Sequence, residues 1–104
     1  MYGVIRRYDG GDESRMDELA EAARDRFIPL VREIPGLEAY YYLRTDAGRV
    51  TTISICETPE AAAQSTQAAR DFIRDEGFGD ALPNPPEIIE GEIAAQTTRS
   101  GMCA

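Results

Sequence analysis

The polar and apolar positions of this chain follow two rhythms in turn, a period of two and a period of three to four. Residues 2–8 are rich in aromatic and β-branched side chains, which predicts a first strand ended by Asp9-Gly10-Gly11-Asp12. From Ser14 the pattern changes. Met16, Leu19, Ala23, Phe27, Leu30, Val31 and Ile34 fall on one helical stripe, with charged residues opposite. Ser14-x-x-Asp17 resembles a capping box. Pro29 lacks an N–H and crowds the carbonyl four residues back, so a kink or break is expected there. Pro35-Gly36 closes the segment. Residues 37–44 and 49–57 read as two strands joined by the turn Thr45-Asp46-Ala47-Gly48. Thr58-Pro59-Glu60 then opens a second helix, with a threonine cap and proline in the first turn. That helix is expected to run to about Glu76, burying Ala61, Ser65, Ala68, Ala69, Phe72 and Ile73. A proline-rich loop leads into a fourth strand over residues 87–96, and residues 97–104 read as a mobile tail.

Strand, helix, strand, strand, helix, strand is the ferredoxin-like βαββαβ order. It predicts an α+β domain over residues 1–96, with a four-stranded antiparallel sheet and two helices on one face. Alternation divides each strand between two faces. One set holds Ile5, Tyr41, Ile53, Ile55 and Ile89; the other holds Tyr2, Arg6, Tyr8, Tyr40, Tyr42, Ser54, Cys56, Glu90 and Glu92. Hydropathy places the first set beneath the helices and leaves the tyrosine-rich set on the open face. Tyrosine combines apolar area with a polar tip, so such a face suits an interface or a pocket lining.

Composition narrows the chemistry. The formal net charge is −8, which opposes binding to nucleic acid or to an anionic membrane. No apolar run is long enough to span a bilayer, and the first residues lack the order of a signal peptide, so a cytoplasmic location is expected. The chain contains no histidine. Triads built on histidine, histidine-ligated haem and the usual zinc sites are therefore excluded. Cys56 and Cys103 do not form a disulfide framework, and Cys56 reads as a small core-like residue. The acidic runs Asp12-Glu13 and Asp17-Glu18 lack calcium-loop spacing, so no metal is expected. There is neither a glycine-rich dinucleotide fingerprint nor a phosphate loop, so no organic cofactor is expected.

Three stretches carry a family resemblance: Ile34-Pro35-Gly36-Leu37 leading into Glu38-Ala39-Tyr40-Tyr41-Tyr42, the turn Asp46-Ala47-Gly48-Arg49, and Ile53-Ser54-Ile55-Cys56-Glu57 entering Thr58-Pro59-Glu60-Ala61. With the length and element order, they make the chain resemble the dimeric α+β barrel superfamily, in its antibiotic-biosynthesis-monooxygenase-like branch. The resemblance implies a homodimer formed through the helix-free sheet face, enclosing a lumen that receives a small aromatic ligand. It implies a cofactor-independent monooxygenase of quinol-like aromatics, or an isomerase; the alternative is a non-catalytic ligand-binding or stress-related dimeric module. On the enzyme reading Arg6 stabilises an oxyanion, Tyr42 or Tyr40 holds a phenolic substrate and Glu90 or Glu92 removes a proton, with Arg6, Tyr42 and Glu90 as the catalytic set and Tyr2, Tyr40, Ser54, Cys56 and Glu92 lining the ligand space. Loss of Arg6 is then expected to cost turnover more than stability. The chain departs from the branch in having no tryptophan, a single asparagine (Asn84) in the proline-rich loop, and Cys56 where many relatives carry a large aromatic.

Overall fold

The computed structural model describes residues 1–46 and 48–97. The expected tail lies, from residue 98 onward, outside the described residues, as do Ala47 of the turn and Cys103. Strands β1 (Tyr2–Tyr8), β2 (Leu37–Asp46), β3 (Arg49–Cys56) and β4 (Glu87–Glu92) form one sheet in the order β2-β3-β1-β4, every neighbouring pair antiparallel. This is the ferredoxin-like arrangement read from the element order. Strand β4 stops short of the expected residue 96 because its partner ends first. Tyr2 pairs with Glu92, and the last bond runs from Ile93 N to Met1 O at 2.9 Å.

The first helical segment is composite. A single 3-10 turn (Glu13–Arg15) leads into α1 (Met16–Ala22), a π-helical stretch (Ala23–Phe27) and α2 (Ile28–Val31). The cap is Asp12 rather than Ser14: its carboxylate accepts from Ser14 N at 3.0 Å and Ser14 Oγ at 2.7 Å. The helical segment continues through Pro29 without a break, but changes to π geometry just before it. The wider π turn just before it accommodates the missing donor and the bulky ring. Phe27 and Val31 consequently both remain in the core. The second helix, α3 (Pro59–Asp75), starts as expected, with Thr58 Oγ1 accepting from Ala61 N at 3.1 Å. At the other end of the sheet, Gly11 N donates to Gly48 O at 2.8 Å. Gly48 has φ +70°, and a Cβ there would stand 2.5 Å from Gly11 O, so only glycine fits.

The assignment of the two sheet faces is reversed relative to hydropathy. Val4, Arg6, Tyr8, Val50, Thr52, Ser54 and Cys56 are the buried residues of β1 and β3, and the helices cover them. The helix-free face instead carries the row Ile89–Ile5–Ile53–Tyr41, aligned across all four strands. Packing explains the choice. Helix α3 buries Ala61, Ala62, Ser65 and Ala69, and small residues on both sides let helix and sheet approach closely. The volume that remains is filled by Phe27, Phe72 and Phe78. Their ring centroids lie 5.0 Å apart for Phe27–Phe72 and 6.3 Å for Phe72–Phe78.

Candidate functional site

Arg6 lies at the centre of the covered face with no solvent exposure. Its guanidinium has five N–H groups, and hydroxyls accept from all of them. Nε donates to Thr66 Oγ1 at 3.1 Å. Nη1 donates to Thr52 Oγ1 at 3.3 Å and Ser54 Oγ at 3.0 Å. Nη2 donates to Ser65 Oγ at 2.6 Å and Thr66 Oγ1 at 2.9 Å. Among the described residues no carboxylate lies within ion-pairing distance of it. Burial lowers its pKa, but an arginine retains its charge in proteins. A buried cation is therefore fully hydrogen-bonded and not neutralised, which leaves a positive potential in a medium of low polarity.

Two spaces lie nearby, the outer lined by Arg6 itself and the inner by Thr52, to which Arg6 donates. The inner one is a cavity of about 30 Å³ bounded by Tyr8, Tyr40, Tyr42 and Thr52 of the sheet and by apolar side chains including Phe27 and Phe72. The outer one is a groove of about 360 Å³ between α3, β1 and the proline-rich loop, lined by Arg6, Tyr8, Thr66, Arg70 and residues 82–86. Tyr8, Ile73 and Leu82 border both spaces.

The phenols of the inner cavity are held neutral. Burial is the main cause in each: it raises Tyr8 and Tyr40 above the ordinary tyrosine value, against the opposing pull of Arg6, and pushes Tyr42 up to about 12. Tyr40 also lies within hydrogen-bonding reach of Thr52, so Arg6, Thr52 and Tyr40 form a chain from buried cation to cavity wall. Among the described residues Tyr42 Oη is buried without a hydrogen-bond partner. Protonated phenols donate hydrogen bonds, so the arrangement suits an electron-rich or anionic ligand. The pH consequence has a definite sign. A phenol whose folded pKa exceeds its unfolded value of roughly 10 supports the fold below that pH, and the support is lost as pH rises toward the folded value. Tyr8, Tyr40 and Tyr42 should ionise together with unfolding, between about pH 10 and 12. Phenolate absorbance and far-ultraviolet dichroism followed over one alkaline titration should change in step; early ionisation of these phenols in a folded chain would contradict this environment.

The residues singled out from the sequence separate into two groups. Arg6, Tyr40, Tyr42 and Ser54 lie at or beside the two spaces, beneath the helices and not on the open face, whereas Cys56 belongs to a separate cluster with Val4, Ala61 and Ala62, against which Tyr2 packs. Cys56 is a buried thiol whose pKa is raised, chiefly by burial, as suits a small core residue. Glu90 and Glu92 stay out of the site. Both are exposed on the edge strand β4, and Glu90 Oε1 accepts from Tyr2 Oη at 3.2 Å. Neither is the buried base expected of Glu90, because an edge strand leaves these side chains in water. Sequence reasoning overlooked Thr52, Ser65, Thr66 and Arg70 as site residues. The available signal was a hydroxyl pair, Ser65-Thr66, in a helix otherwise rich in alanine.

No family model matches the sequence, and neither does any curated protein. Solved structures do match. A protein of unknown function from Nitrosomonas europaea superposes with a TM-score of 0.76 at 16% identity, over 96% of this chain and 95% of its own. The ActVA-Orf6 monooxygenase of Streptomyces coelicolor, solved with nanaomycin D, gives 0.69 at 19% identity over 95% and 92%. A mutant of MhuD with two manganese protoporphyrin IX molecules in each active site gives 0.73 at 16% identity over 95% and 100%. The fold is that of the antibiotic-biosynthesis-monooxygenase-like proteins. Among the described residues no helix is long and apolar enough to cross a membrane.

Proposed function

We propose that the chain binds a small electron-rich aromatic between its sheet and α3, and oxidises it as a cofactor-independent monooxygenase. The observation that carries this reading is the buried, hydroxyl-bound and unneutralised Arg6 between the groove and the phenol-lined cavity. The groove has the size of a fused-ring ligand. The inner cavity has room for a molecule the size of water or dioxygen. A phenolate bound in the groove is stabilised by the Arg6 charge and by hydrogen bonds from neutral hydroxyls, as preorganised dipoles act in a dry site. One oxygen atom of O2 then enters the ring and the other leaves as water, the substrate supplying both electrons. Neither space is lined by a carboxylate, so no side chain there serves as the base. The substrate proton passes to solvent, and the site acts by lowering the substrate's own pKa. Oxygen uptake with a panel of hydroquinones should exceed buffer for the wild type and fall by about tenfold or more in Thr52→Val, which cuts the link from Arg6 to Tyr40. Uptake equal to buffer with ligands that bind would favour a non-catalytic binding module instead.

The same reading includes a homodimer through the helix-free sheet face, formed by different residues from those the sequence suggested. Ile89 and Tyr41, at 51% and 56% exposure, flank the half-buried Ile5 and Ile53 in one apolar row. Pairing two such rows would remove this surface from water, as the sheet-to-sheet packing implied by the resemblance does. Sedimentation equilibrium at micromolar concentration should give twice the chain mass for the wild type and the monomer mass for Ile53→Glu with native dichroism. A monomeric wild type would refute the pairing.

A further inference from the structure

Most of the described arginines of this acidic chain are matched to carboxylates. Of the ten described, seven form ion pairs, from Arg7–Glu87 at 3.0 Å to Arg74–Asp75 at 2.9 Å. Arg6, Arg32 and Arg70 do not, and two of these three adjoin the same groove. The lining of that groove contains no Asp or Glu, in a chain that has 19 of them. Arg6 cannot turn a donor toward a ligand, because hydroxyls occupy every one of its N–H groups. Arg70 can. It is exposed, and among the described residues its one hydrogen bond is a long one, Nη1 to Gln67 Oε1 at 3.3 Å, which leaves most of its planar fork available. The charges of Arg6 and Arg70 both act on the Tyr8 phenol between them. The rest of the lining is apolar or neutral: Ile73, Leu82, the prolines and Ile88, with Thr66 and Asn84 as neutral hydrogen-bonding groups.

We infer that the groove selects an aromatic carboxylate, the flat body lying on the proline and isoleucine walls and the carboxylate held in a two-pronged bond by Arg70. Arg70 is then the specificity residue, and Arg6 supplies potential at a distance. This rests on the proposal that the groove is the ligand site, and it names the class of ligand. A carboxylate pairing with an unsatisfied guanidinium gains a charge-assisted bond that an isosteric amide lacks. An anion is also favoured over a neutral ligand here because two arginines and no carboxylate line the groove.

The test is a matched pair of probes, naphthoate and naphthamide, titrated by calorimetry into the wild type, Arg70→Gln, Arg70→Lys and Arg32→Gln. The wild type should prefer naphthoate by roughly tenfold or more, and added salt should erode the preference. Arg70→Gln should abolish the preference, naphthoate losing far more affinity than naphthamide. Arg70→Lys should restore part of it, and Arg32→Gln should behave as wild type. Equal binding of both probes by the wild type, or a preference that survives in Arg70→Gln, overturns the carboxylate assignment and leaves the groove as the ligand site. Binding of neither probe overturns the groove itself and the inference with it.

Discussion

Replacing Arg6 by alanine should cost about 3–5 kcal/mol of folding stability, a large share of the roughly 5–15 kcal/mol available to a domain of this size. The sequence suggests the opposite, a side chain in an open lumen whose loss costs turnover more than stability. The structure overturns that because Arg6 is wholly inside, beneath α3. Two effects compete. Removing an unneutralised buried charge relieves a desolvation cost, which favours the variant. Against this, alanine leaves a cavity where a long side chain stood. It also strips a donor from Thr52, Ser54, Ser65 and Thr66 at once. Each buried hydroxyl left without a partner costs about 1–3 kcal/mol. Ser65 Oγ retains its own bond to Ala62 O at 2.8 Å, so the losses fall mainly on the strand hydroxyls and on Thr66. The second effect is the larger. Arg6→Met preserves most of the volume but not the donors, and it should lie between alanine and wild type. Urea denaturation should show a lower midpoint at constant slope for both variants. A midpoint within error of wild type for Arg6→Ala would mean that the hydroxyls re-pair without it, and that the guanidinium does not hold helix and sheet together.

Local signals carried the architecture. Thr58-Pro59 marks the start of α3 because a capping hydroxyl and a preset φ act within one turn, with no need of distant contacts. Strand order follows from element order, since few topologies are open to this sequence of elements. The choice of sheet face did not follow. Alternation sorts residues into two sets, but it cannot say which set a helix will cover when both are partly apolar. The rule that the greasier face goes inward chose the isoleucines, and it fails for a chain that carries apolar surface on both sides of its sheet. Position parity held a correction: Val4 and Val50 share a face with Arg6 and Thr52, and valines on both central strands suggest cover. The hydroxyl cradle was harder to read. Its members come from β1, β3 and α3, separated by up to 60 residues, and although Ser54 and Ser65 each stand out in sequence, nothing there joins them to one another or to Arg6. What unites them is a count, five donors against four hydroxyls, which appears only once the chain is folded. Glu90 is the simpler case: the element order that sets the strand order also puts β4 at an edge, and an edge leaves its carboxylates in water.

Tyr42→Phe should separate stability from function in the opposite direction to Arg6→Ala. Tyr42 Oη is buried, unpartnered among the described residues, and its phenol is pushed up to about 12 by desolvation. Phenylalanine keeps the ring and its packing and removes only the hydroxyl, so neither a cavity nor an abandoned partner results. The fold should therefore lose nothing and gain up to about 1 kcal/mol, the gain approaching zero where a water enters the adjoining 30 Å³ cavity and satisfies the phenol. Ligand affinity or turnover should move the other way. Tyr42 lines the inner cavity that has room for dioxygen, where a neutral phenol donates to the oxygen as negative charge develops on it, so its loss should cut hydroquinone oxidation by about tenfold or more. Tyr40→Phe is the contrast. Its hydroxyl has Thr52 for a partner, so that variant should lose stability as well as activity. A denaturation midpoint that rises for Tyr42→Phe together with a fall in oxygen uptake is the signature of a group held in an unfavourable environment for its ligand. A midpoint that drops with uptake unchanged would make Tyr42 an ordinary core residue and move the site away from the inner cavity.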